Sequence, residues 1–157
     1  MHRIFISIAL ICSAVSGQSA TSGKTIFEGK GGCTGCHRVG GSGARTGPNL
    51  TDIGGVRNPD QLEKSILEPD SEIATQNRSY RVVTRAGETV TGRLLNVDVF
   101  SVQILDSKER LRGFSKADLR EWAFVEKSPM PSYKDKLSAQ ELADLVSYLL
   151  SLKGLEP

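Results

Sequence analysis

Histidine, methionine and cysteine are all scarce in this chain, with two, two and three copies among 157 residues. His2, Met1 and Cys12 all fall in the first twelve positions. Aromatic residues make up only 6% and the formal charge is +2. The chain therefore lacks both a base-stacking surface and the field that would draw nucleic acid or an anionic membrane. Beyond the first residues no apolar run is long enough to span a bilayer. The start itself is different. Arg3 precedes a nearly unbroken apolar run from Ile4 to Ile11 and small residues from Ala14 to Gly17. That is the layout of a secretory signal peptide. Cleavage is expected after Gly17, giving a soluble, exported chain from residue 18 onward, periplasmic in a bacterium, with no membrane span. His37, Met130, Cys33 and Cys36 are then the only residues of their types. A zinc site needs two ligands beyond Cys33 and Cys36, and no Cys or His other than His37 remains to supply them. No carboxylate cluster stands out either, so an enzyme is not expected.

The scarce residues are not scattered. Cys33-Thr34-Gly35-Cys36-His37 is a C-x-x-C-H sequence, the attachment signature of c-type haem. Two thiols three positions apart can reach the two vinyl groups on one haem edge. The adjacent imidazole then ligates the iron without the entropy of recruiting a distant group. A thioredoxin-like dithiol would need a strand before the motif and a βαβ pattern after it, and neither is visible. One covalently attached haem c is the expected cofactor.

The segment after the motif resembles class I cytochromes c. A glycine-rich loop leads into Thr46-Gly47-Pro48-Asn49-Leu50, similar to the T-G-P-N-L segment of that family. The resemblance implies that the Pro48 carbonyl accepts a hydrogen bond from His37 and that Leu50 packs on the haem. Met130 stands in Ser128-Pro129-Met130-Pro131, where two prolines forbid a regular helix or central strand. A lone methionine is commonly core filler. This one also resembles the distal-ligand loop of the family, which implies His37 and Met130 as axial ligands; lysine ligation or an open site are the alternatives.

Three helices are predicted. The first is capped by Ser22 and runs to about Lys30. The second starts at Asn58 and Pro59 with Gln61 completing a capping box, and stops before Pro69. The last starts at Ser138 with Glu141 and ends by Gly154. The resemblance implies that the first crosses the last, with Tyr148 in an aromatic position. Between the second and third, from about residue 80 to 126, the period becomes strand-like. Strands are expected at Tyr80–Thr84, Thr89–Val97, Ser101–Leu105, Arg110–Phe114 and Glu121–Val125, with a helical turn at Ser115–Asp118. Lys108, Arg110 and Arg112 fall at alternate positions and offer either a basic docking strip or an ordinary solvated strand face. The fold class is thus α+β: a helical class I cytochrome c domain over residues 18–157 with an inserted small antiparallel sheet or partly closed barrel.

The combined layout is similar to the haem-binding domains of planctomycete- and verrucomicrobium-type putative membrane-bound dehydrogenases. It shares Gly31-Gly32-Cys33, Cys36 to Gly41, Ser65 to Pro69 and the Ser128–Pro131 loop with them. The resemblance implies a one-electron carrier that docks transiently with a redox partner, a dehydrogenase or an oxidase. The other reading is a haem protein that binds or senses a small ligand by displacement of Met130.

Overall fold

The computed structural model describes residues 17–154; the expected leader, apart from Gly17, lies outside them. Helix α1 (Ala20–Glu28) starts three residues earlier than the sequence predicts. Ser19, not Ser22, is its cap, and accepts a hydrogen bond from the Ser22 amide at 3.2 Å. The earlier start follows from a distant partner, since the Ser19 amide donates to Asp144 Oδ1 at 2.8 Å. After a short helix α2 (Ile53–Val56) comes α3 (Pro59–Leu67), with the expected reciprocal bonds between Asn58 and Gln61. Helix α4 (Ala139–Ser151) carries the Ser138–Glu141 capping box. It ends before the predicted stop, and Gly154 instead donates its amide to the Thr51 carbonyl at 2.9 Å.

Helices α1 and α4 cross closely. Gly23 makes this possible: a Cβ there would lie 1.9 Å from the Asp144 carbonyl oxygen of α4. One turn on, the rings of Phe27 and Tyr148 meet at 5.4 Å. With Leu62 and Ile66 of α3, and Leu145, Val146 and Leu149 of α4, they form the helical core.

Strands β1 (Ser79–Thr84), β2 (Thr89–Val97), β3 (Ser101–Asp106), β4 (Leu111–Ser115) and β5 (Leu119–Phe124) lie between α3 and α4. They form one antiparallel sheet in the order β4-β3-β2-β1-β5. Its two edges, β4 and β5, do not pair, so the sheet is open and not a barrel. A single 3₁₀ turn at Lys116–Asp118 carries the chain from one edge to the other. Tyr80, Val82, Val90, Val102, Ile104 and Leu119 form a second core on one face of the sheet. Two residues of the candidate basic strip have acidic partners. Arg110 lies in the β3–β4 turn, bonded to Asp106 at 2.7 Å, and Arg112 is bonded to Glu88 at 2.7 Å.

Candidate functional site

The C-x-x-C-H segment turns once as a 3₁₀ helix over Cys33–Gly35. The His37 amide donates to the Cys33 carbonyl at 2.8 Å, which holds the imidazole beside the turn. Cys33 and Cys36 are free thiols, the first half-buried and the second exposed. Burial is the main force pushing the Cys33 thiol up to about 11.

The chain then loops out through its glycines and returns. The Gly47 amide donates to the Cys36 carbonyl at 2.7 Å and the Leu50 amide to that of Arg38 at 2.8 Å. This return places the Pro48 carbonyl 2.9 Å from His37 Nδ1. A carbonyl can only accept, so Nδ1 carries the proton and Nε2 of the neutral ring keeps its lone pair. Burial holds the imidazole below its ordinary value, against the opposing effect of the bond to Pro48. Gly47 sits close against the ring, since a Cβ there would be crowded at 3.1 Å from His37 Nδ1 and Cε1.

His37, Cys33, Leu50 and Met130 line one apolar cleft in the helical core. Its remaining walls are Phe27, Ile66, Tyr133, Leu145 and Leu149. Of the six residues singled out in the sequence, four therefore meet there. Pro48 acts on His37 through its carbonyl from outside the lining, and Cys36 lies at the surface.

Met130 is held by its loop. Its amide donates to Ser128 Oγ at 3.1 Å, and the Ser128 amide to Asp70 Oδ1 at 2.7 Å. Ser132 Oγ donates to the Leu67 carbonyl at 2.6 Å and the Tyr133 amide to that of Ile66 at 3.1 Å. The loop is thus fastened along the C-terminal end of α3. Tyr133 was not anticipated from the sequence. It is buried, and its hydroxyl donates to the Gly31 carbonyl next to the cysteine turn. Its one sequence signal is a position three residues after Met130, on the far side of Pro131.

The donor set suits a haem c: one thiol on the lining of an apolar cleft and a second three residues on at the surface, an imidazole with a bare Nε2, and a thioether on the same lining. Among the described residues no three His, Cys, Asp or Glu side chains gather as a metal site of another kind. Residues 20–98 match the family Cytochrome c. The match covers half of the chain.

This chain belongs to the Cytochrome c family. Covalently bound haem c and haem-based electron transfer come with that membership. The matched span contains both cysteines, His37, Pro48 and Leu50, and ends before Met130 and α4. No curated protein matches this chain. Among the described residues no helix is long and apolar enough to cross a membrane.

Proposed function

We propose that this cytochrome c is a mono-haem electron carrier of the periplasm, with Cys33 and Cys36 as the attachment points and His37 and Met130 as the axial ligands. The observation that supports it best is that His37 and Met130 line one apolar cleft while each is independently anchored. When bound, the haem supplies an iron that cycles between ferrous and ferric states, at a potential raised by a thioether ligand. The chain's part is to keep both ligands in place through that cycle. The Pro48 carbonyl fixes the ring of His37, and the Ser128–Tyr133 loop fixes Met130 against α3. Leu50, Phe27 and Leu145 exclude water, which favours the reduced state of a buried site. Exposed Cys36 puts the attachment side at the surface, where a partner can dock transiently over a small area, under about 1,200 Å².

A dehydrogenase is the preferred donor class, because of the resemblance to the haem domains of putative membrane-bound dehydrogenases. The fastened loop argues against the sensing alternative, which needs a displaceable Met130. The test is the absorption spectrum of the matured protein, oxidised and reduced, with and without carbon monoxide. A weak far-red thioether-to-iron band that disappears in Met130→Ala, with no response to carbon monoxide in the parent, is expected. A high-spin parent, or one that binds carbon monoxide readily, sinks the carrier assignment.

A further inference from the structure

Side chains of the inserted sheet and its β3–β4 turn hydrogen-bond to one residue of the site's loop, Arg45, on every side. Arg45 lies between His37 and Pro48. Its amide donates to Glu109 Oε1 at 2.7 Å, and its carbonyl accepts from Arg93 Nη1 at 3.0 Å. Its guanidinium Nε stands 3.5 Å from Glu109 Oε2. Both main-chain polar groups and the side chain of one loop residue are therefore taken by side chains of the sheet. On either side the loop is tied to the cysteine turn, Ala44 to the Thr34 carbonyl and Gly47 to that of Cys36. The free span between those ties is Arg45 and Thr46, and the sheet holds it.

Glu109 is also the one non-glycine residue with a left-handed backbone among those described, at φ 57°. Glycine would adopt that conformation without cost, whereas glutamate does not. Asp106 enforces it: its carboxylate accepts from the amides of Lys108 and Arg110 and from Arg110 Nε, at 2.9 to 3.0 Å. The result is a carboxylate projected from a rigid turn onto the loop that leads to Pro48.

We infer that the sheet is a clamp on the proximal loop, with Glu109 and Arg93 as positioning residues for the bond from His37 Nδ1 to Pro48. The inference rests on the reading of His37 as the iron ligand. It gives the insertion a role at the cofactor: the sheet tunes the imidazole through the loop. A histidine ligand whose Nδ1–H is held by a carbonyl donates more strongly to the metal and so favours the oxidised iron. Release of the clamp therefore raises the reduction potential and exposes the ring N–H.

The experiment uses the haem-loaded full chain and reads two quantities: exchange of the His37 ring N–H with D₂O by proton NMR in the reduced state, and the reduction potential. Glu109→Gly removes the carboxylate and relieves the backbone. It should quicken ring N–H exchange about tenfold, the factor one ordinary hydrogen bond is worth, and raise the potential, while thermal stability holds or increases. Arg93→Met should move both readouts the same way. Glu109→Gln, which keeps an acceptor for the Arg45 amide, should stay near the parent. Arg81→Gln breaks the 3.3 Å pair with Glu121 elsewhere in the sheet and should change neither readout. Parental exchange and potential in Glu109→Gly and Arg93→Met overturn the clamp, as does an equal response in Arg81→Gln. A fault in the ligation reading shows separately, as a parent spectrum without a histidine-ligated haem.

Discussion

The two cores of this cytochrome c are built on opposite plans. The sheet core is local: its members come from strands joined by short turns, and Val82, Val102 and Ile104 at its centre are 0% exposed. The helical core gathers residues from Phe27 to Leu149, and its middle is a cleft shared by His37 and Met130. A region that must surround a cofactor cannot fill its own centre with side chains. Its lining is where a bound group packs, so binding is expected to add to the stability of the helical core, while the sheet core is filled by its own side chains. The helical half is therefore the one whose stability a bound group should change.

The largest expected effect breaks the comparison directly. In Cys33→Ser/Cys36→Ser, produced without haem, amide exchange of α1 and α4 should approach that of an unfolded chain. The strands β1, β2 and β3 should keep their protection. Hydrogen exchange resolved by NMR reads this, and equal loss of protection in both regions would show that the sheet has no independent stability.

The sequence carried the elements that local chemistry decides. The boxes at Asn58–Gln61 and Ser138–Glu141 are reciprocal bonds within four residues, so their helix starts are readable. The strands follow from alternation, and all five lie within a few residues of the expected spans. What depends on distant partners was not readable. Ser19 caps α1 because Asp144 holds its amide, 125 residues away. Tyr133 belongs to the cleft only because the chain returns past Gly31. The openness of the sheet depends on how β4 and β5 end up, and no periodicity encodes that. In the site, the motif residues were legible from their spacing and from likeness to the family. The Arg45–Glu109–Arg93 contacts were not, since three exposed-looking charges in separate segments carry no pattern.

Two substitutions of equal size sharpen the contrast. Ile104→Ala in the sheet core and Leu145→Ala beside the cleft should each cost about 2 to 5 kcal/mol, by lost burial and the cavity left behind. Thermal melts followed at the haem band and by far-ultraviolet dichroism check this. The Leu145 variant should also shift the haem spectrum, which the Ile104 variant should leave unchanged. Ser138→Ala, which strips the cap of α4, should cost about 1 kcal/mol and appear first as faster exchange at the start of that helix.

The smallest effect is one of pH, and it belongs to the sheet alone. Hydrogen bonds from Arg110 hold the Asp106 carboxyl down to about 2, below its ordinary 3.8. The folded state therefore binds this proton more weakly than the unfolded chain does. Asp106 contributes its full stabilisation above about pH 4, and the contribution is lost as pH falls from there toward 2. In Asp106→Asn the β3–β4 turn should be weaker near neutrality, and this part of the acid dependence should vanish. Protection of the Lys108 and Arg110 amides, followed from pH 6 to about 2 in parent and variant, measures it. The two curves should converge at the acid end, because a protonated Asp106 and an asparagine offer that turn nearly the same acceptor. Parallel curves would mean that the turn is held by its main-chain bonds and that the carboxylate charge adds nothing.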